Sequence, residues 1–445
     1  MDVITRVRAR TGKVFYGWWM LAIGSALYFI GMGSVFYGFS AFFNPMVAEF
    51  GWSSAVTSGA YSLSRLEGGV QGLVVGPLID KFGARSLMVV GVALTGIGFL
   101  LLPLVQTPLS LYLIFGLLVT MGYSTGCGLA TVTLAANWFV QKRARAISIL
   151  YAVGGFGGAA IVPTFGLLIV HFGWRVTATI IGAVMLLLGI PLAIMVKSRP
   201  EDKGLLPDGR VEVPSSDTIP AAQQSGLQKQ SSRPAERVEV DFTLKEVLRT
   251  QAFWMYGVAF VLRVCILSTI VIHEMPHLTN MGLSYEAAAA VLGAMILLSV
   301  PGRLVFGWLG DRYDNRRLLF YSCIMQAVGI WILINTTSLW MAYLFVVVFG
   351  FGYGASLPLS QSFRGVLFGR KTFGTVGGIV FAASTSTTVA APIIAGYLYD
   401  TTGSYGTGLY IMMGIIILAG IAFLLIRYPK PPARLTMASG QSSPT

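Results

Sequence analysis

The sequence predicts an all-α membrane protein of twelve transmembrane helices, arranged as two parallel six-helix repeats with both termini cytoplasmic. Three observations lead there. Of 445 residues, 55% are hydrophobic and only 11% charged, where a soluble chain carries about 25% charge. Apolar runs long enough to cross a bilayer, which takes about 20 residues, follow one another along the whole chain. One stretch also occurs twice: Gly76-Pro-Leu-Ile-Asp80-Lys81-Phe-Gly83-Ala-Arg85 returns as Gly307-Trp-Leu-Gly-Asp311-Arg312-Tyr-Asp314-Asn-Arg316-Arg317.

The same offset carries Pro45 onto Pro276 and Gly51 onto Gly282. With slight drift it carries Pro163 onto Pro392 and Gly173 onto Gly403. Self-similarity over most of a half-chain marks an internal duplication. The expected spans are 16–43, 56–78, 87–106, 111–136, 144–170 and 175–196, then 252–279, 286–309, 317–335, 339–363, 374–399 and 406–427. Gly and Pro within them are tolerated where neighbouring helices satisfy the freed backbone groups. The first run is too long for a cleaved secretory leader, so none is expected.

Charge placement sets the orientation. Arg6, Arg8, Arg10 and Lys13 precede the first span. Lys81, Arg85, Lys142, Arg143, Arg145, Arg312, Arg316, Arg317, Arg364, Arg370, Lys371, Arg427, Lys430 and Arg434 all fall on the same side as the termini. The opposite loops hold Glu49, Glu286, Asp400 and Arg175. By the positive-inside rule the basic side is cytoplasmic. The net charge of +13 therefore describes membrane topology, and no nucleic-acid partner is expected. An even number of spans per half makes the repeats parallel, related by an axis along the membrane normal.

The chain thus divides into a half at 1–196, a cytoplasmic linker at 197–250, a second half at 251–430 and a disordered tail at 431–445. The linker is rich in Pro, Ser and Gln, and its nine basic residues are balanced by nine acidic ones. It reads as a flexible tether, with residues 241–249 able to form a short surface helix. Cys127, Cys265 and Cys323 lie in apolar runs and imply no disulfide framework.

Two parallel six-helix halves, with Gly-x-x-x-Asp-Lys/Arg-x-Gly-x-Arg between the second and third spans, resemble the major facilitator superfamily. The second copy departs from the pattern at Asp314, where Gly83 stands in the first. A narrower likeness is to the monocarboxylate porter and oxalate/formate antiporter branch. Tyr16-Gly17-Trp18-Trp19 opens the first span as in bacterial members, and Trp138-Phe139-Val-Gln141-Lys142-Arg143-Ala-Arg145-Ala146 is similar to that branch's signature. The likeness breaks at Gln141, Ser148 and Val153. It implies alternating-access transport of a small organic anion, a monocarboxylate, with protons as a candidate coupling ion and no cofactor. A monomer in a prokaryotic inner (plasma) membrane is expected.

Charged side chains within a bilayer cost several kcal/mol, so each needs a partner or a task. The runs enclose Arg65, Arg263 and Arg303, against the acids Glu67 and Glu274. The surplus cation calls for an anionic substrate. In the resembled branch an arginine four residues before the glycine, here Arg303 before Gly307, pairs with the substrate carboxylate. A guanidinium suits that task because it binds carboxylate bidentately and keeps its proton. The alternative is an arginine snorkelling toward Asp311. Arg65 and Glu67 point in different directions on a helix, and serve either interhelix ion pairs or substrate and coupling roles. Arg263 has no acid one turn away. Tyr37, Tyr123 and Tyr353 lie in spans that line the cavity in the superfamily, and either orient a carboxylate or pack against glycines. The resemblance places relatives' functional charges at Tyr37 and Ser299, and in a run of hydroxyls from Ser384 to Thr388, so those charges are missing here. Glu67, His273 and Glu274 are the remaining coupling candidates.

His273-Glu274-Met-Pro-His277 matches the zinc-protease pattern His-Glu-x-x-His. Pro276 distorts that spacing, and it duplicates Pro45, whose half has no such histidines, so no metal and no catalytic residue are expected. No Gly-x-x-x-x-Gly-Lys-Ser/Thr phosphate loop occurs, which disfavours ATP coupling. Export of amphipathic compounds, or ligand sensing without flux, stays open from sequence.

Overall fold

The computed structural model describes residues 15–52, 63, 69, 71–209 and 240–431. Arg65, Glu67, the basic residues before Phe15, the middle of the linker and most of the expected tail lie outside the described residues. The helices are α1 (Tyr16–Tyr37), α2 (Phe39–Phe50), α3 (71–82), α4 (Ala84–Leu104), α5 (Pro108–Trp138), and α6 (143–172) with α7 (174–195). There follow α8 (Leu244–Leu248), α9 (Gln251–Asn280), α10 (Tyr285–Gly310), α11 (Asn315–Ile334), α12 (Leu339–Phe368), α13 (Phe373–Thr402) and α14 (Gly406–Leu425). Among the described residues ten helical stretches are long and apolar enough to cross a membrane. One of them, Arg143–Met195, contains the break between α6 and α7 at Gly173 (φ 79°). That break falls between the expected spans 144–170 and 175–196.

The duplicated glycines share a backbone role. Gly51 (φ 65°) ends α2 and Gly282 (φ 93°) follows α9; Gly173 and Gly403 (φ 69°) end α6 and α13. Each adopts a left-handed conformation that any side chain resists. Helix starts are fixed by side chains: Thr250 accepts from the Phe253 N–H, Ser284 from Ala287 and Asp314 from Arg316. Asp314 thus caps α11 with its carboxylate, where Gly83 (φ 82°) precedes α4 through backbone freedom. This explains the one mismatch between the two motif copies, because either residue suits an N-cap.

The buried cores divide along the chain. One is built from residues between Phe242 and Ile426, and two from residues between Met20 and Val196, joined by Phe373 alone from the second half. Large apolar side chains such as Val170, Leu187, Trp340 and Ile393 are exposed on the outside, as a lipid-facing surface requires.

Of the linker, residues 197–209 and 240–250 are described. Its described ends are fastened. The Asp208 carboxylate accepts from the backbone N–H groups of Val140, Gln141 and Lys142. The Asp241 carboxylate accepts from those of Arg370 and Lys371. α8 forms, started by a capping box between Thr243 and Glu246, and Phe242 and Val247 are buried. Composition alone could not reveal this, because each carboxylate caps a loop remote in sequence.

Candidate functional site

Asp80 and Asp311 lie at one end of the helix bundle, the motif end, and each reaches into the other half. Asp80 accepts from the Gly374 N–H (3.0 Å), the Thr375 N–H (2.7 Å) and the Thr375 hydroxyl (2.7 Å). Asp311 accepts from the Ala144 N–H (3.0 Å) and the Arg145 N–H (3.3 Å), with the Arg145 Nε 3.4 Å away. Each carboxylate therefore sits on the N-terminal turn of a helix, α13 or α6, where unpaired N–H groups and the helix dipole favour negative charge. Gly76 lies against the Gly374 carbonyl and Gly307 against the Ser148 side chain. A side chain at either glycine would push these helices apart. Arg370 adds further cross-links to Glu201 and to the Asn137 carbonyl. The motif end is closed.

The other motif residues act locally. Lys81 lies over the Phe82 ring and Arg312 over Trp308. The Arg85 N–H donates to the Ser198 hydroxyl. Arg316 pairs with Asp314 and covers Tyr428.

Burial pushes the Asp311 carboxyl up to about 7, opposed by the Arg145 N–H, the Arg145 charge and the Ala144 N–H, and assisted by Asp208. Burial also raises Asp80, against the pull of Thr375, Gly374 and Arg364. Opening the motif end would return Asp311 to the ordinary carboxylate value of 3.8. Closure therefore takes up a proton between these values. The resulting stabilisation is complete below the ordinary value and is lost as pH rises through about 7. Acidification from pH ~8 to ~6 should accordingly populate the closed form. Maleimide labelling of Ser148→Cys, with the native cysteines replaced, should slow over that range, and Asp311→Asn should flatten the profile.

Between the halves lies a cluster of arginine and tyrosine. Arg303, on α10, is 8% exposed. Its Nη1 donates to the Tyr151 carbonyl on α6 (2.6 Å) and its Nη2 to the Ser299 hydroxyl (3.2 Å). Gly155 leaves room for the guanidinium. Arg303 points across the interface, and Asp311 is engaged by the Ala144 and Arg145 N–H groups. Arg263, on α9, is buried beside Phe260, and among the described residues its Nε and Nη2 have no hydrogen-bond partner. It interacts electrostatically with Cys323, Tyr256, Tyr353 and Tyr151.

Tyr28 packs edge-on against Tyr151 (5.6 Å between ring centroids) and interacts with Tyr123, Tyr37 and Arg303. Tyr123 donates to the Met32 sulfur (2.9 Å), and Tyr37 packs on Phe36 and Gly158. The predicted Arg263, Arg303, Tyr37, Tyr123 and Tyr353 are thus gathered around Tyr28, Tyr151 and Tyr256, which sequence reasoning missed. Nothing local distinguishes those three tyrosines from the others.

One reading needs correction. The charge census left three arginines within the spans and placed Arg364 and Arg143 in the cytoplasmic loops. Arg364 lies inside α12 and is 2% exposed, and Arg143, at the start of α6, is 1% exposed. α12 continues to Phe368, beyond the expected end of its apolar run, and neighbouring helices cover both side chains.

The His-Glu-x-x-His residues do not converge. The His273 Nε2 donates to the Pro392 carbonyl (3.0 Å) and the His277 Nε2 to the Leu333 carbonyl (3.1 Å). Glu274 is 1% exposed, and among the described residues neither of its oxygens has a hydrogen-bond partner. Among the described residues no group of three His, Cys, Asp or Glu side chains is placed to hold a metal.

A helical, multi-pass membrane bundle, closed at one end by two duplicated aspartate clasps around a buried cationic cluster, defines a transporter architecture. The family model of the Major Facilitator Superfamily matches residues 21–325 and 275–444, and the chain belongs to that superfamily. It is 26% identical over 435 residues to monocarboxylate transporter 12 of Xenopus laevis, covering 95% of this chain and 92% of that protein. It is 24% identical over 420 residues to the uncharacterized MFS-type transporter YcxA of Bacillus subtilis, covering 92% and 95%. Among solved structures, the proton:xylose symporter XylE superposes with a TM-score of 0.67 at 14% identity, over 91% of this chain and 94% of that one. FucP in the outward conformation gives 0.66 at 14% identity, over 92% and 98%. These two show the shared fold.

Proposed function

We propose that the chain carries a small organic anion, a monocarboxylate, across a prokaryotic inner membrane by alternating access. Two six-helix halves, 1–196 and 251–430, rock about the central cluster, with twelve spans and both termini in the cytoplasm. The motif end is then the cytoplasmic gate, and its closure corresponds to the outward-facing form. The observation that carries the reading is Arg303. It is a buried guanidinium between the halves that meets a carbonyl and a hydroxyl and, among the described residues, no carboxylate. A substrate carboxylate supplies the missing counter-charge. Arg263, Arg65 and the tyrosines at 37, 123 and 353 are secondary contacts. The relatives named as monocarboxylate transporters support this substrate class.

Proton coupling is assigned to Glu274 ahead of His273 and Glu67. Glu274 is buried with neither oxygen engaged among the described residues, whereas His273 is held by the Pro392 carbonyl. The monomer is the working unit. Counterflow in proteoliposomes against lactate, pyruvate, formate, oxalate and benzoate tests the reading. Saturable exchange of at least one monocarboxylate is expected. Absence of flux with every anion would sink it and favour export of another solute, or sensing.

A further inference from the structure

Arg364 is a buried cation that the substrate reading above does not use. It lies one turn before Phe368, the motif-end terminus of α12. Its guanidinium lies 3.9 Å from the Phe373 ring centroid and against Gly377, both on α13, and among the described residues its Nε and Nη2 have no hydrogen-bond partner. A buried guanidinium without acceptors costs several kcal/mol, so a stable place for it implies a task in another state. Its surroundings indicate which state. Phe373, on which it stacks, packs into the core of the first half, and the Arg143 guanidinium of that half lies against the neighbouring Gly365, so Arg364 stands at the interface between the halves. Asp80 does not neutralise it by contact, because its oxygens are taken by Gly374 and Thr375. Arg143 is like-charged and donates to the Ala136 carbonyl.

Tyr151 joins this place to the central site. Its carbonyl receives Arg303, and its side chain lies within electrostatic range of Arg364 as well as of Arg303 and Arg263.

We propose that Arg364 is a second carboxylate-binding station, which takes the anion from Arg303 when the motif end opens. Separation of the halves withdraws Tyr151 and Asp80 and uncovers the guanidinium to the new cleft. A carboxylate leaving Arg303 meets Arg364 next and is released from it to water. The proposal rests on the anion-transport reading and adds a sidedness to it, since Arg364 is reached from the motif face alone.

The test measures exchange in proteoliposomes of known orientation, using radiolabelled pyruvate or, if pyruvate is not carried, the best-carried anion of the counterflow panel. Arg364→Gln is expected to raise KM at the motif face by about tenfold or more, the loss of one charge-assisted contact, and to leave KM at the opposite face unchanged. Arg364→Lys should restore only part of the affinity. If the glutamine variant does not reconstitute, the lysine variant alone should raise KM by several-fold at the motif face only. Equal changes at both faces, or no change at either, would overturn the second station while leaving the anion reading intact. Wild-type protein that carries no anion of the panel overturns both.

Discussion

Replacing Arg303 with lysine is expected to reduce anion uptake by roughly tenfold to a hundredfold, the worth of a charge-assisted hydrogen bond of about 1.5–3 kcal/mol. The amount of protein in the membrane should not change. In the closed form the guanidinium bridges two helices, with the Tyr151 carbonyl and the Ser299 hydroxyl each taking one nitrogen. Lysine keeps the charge but offers one compact ammonium on a flexible stem, without the planar fork that matches a carboxylate. Initial uptake rates, normalised to protein in purified membranes, measure the effect. Unchanged uptake would remove Arg303 from the binding role and, with it, the observation on which the substrate class rests.

Asp80→Ala should open the motif end. The carboxylate holds three donors on the first turn of α13, at distances between 2.7 and 3.0 Å. Removing it leaves two backbone N–H groups and a hydroxyl to find water, which they reach only when the halves part. With charged hydrogen bonds worth about 1.5–3 kcal/mol each, the closed population should fall by roughly tenfold or more. The rate of maleimide labelling at Ser148→Cys should rise by that factor, because Ser148 is fully buried against Gly307 in the closed form. Asp80→Asn should fall between wild type and alanine, as one amide oxygen can accept from only some of the three donors. A labelling rate unmoved by Asp80→Ala would show that the clasp does not hold the gate.

The repeat made most of the architecture legible. Matching Asp80 with Asp311 predicted two residues of one role, and both carboxylates cap the opposing half's helix. Matching Gly51 with Gly282 and Gly173 with Gly403 located four left-handed helix ends. Arg303 was legible because a cation in an apolar run stands out from its surroundings. Arg364 was missed for the converse reason: it falls just past an apolar run, where arginine is ordinary, and its burial is created by α13 and α6. Tyr151 and Asp208 show the same limit. Their roles depend on a carbonyl that accepts from a remote arginine or on backbone donors more than sixty residues away, and neither leaves a local trace. Arg65 and Glu67 lie outside the described residues, so their separate partners on other helices stay a sequence expectation.

The two linker caps bear on assembly. Asp208 closes the loop after α5 in its own half, and Asp241 closes the corresponding loop after α12 in the other. Each half therefore carries the piece of linker that finishes its own surface, and residues 210–239 join two segments already moored. The covalent connection keeps the halves at high local concentration, while their alignment comes from the aspartate clasps and the arginine crossing to Tyr151. In this sense the molecule is a heterodimer written as one chain, with a tunable interface between subunits that never dissociate.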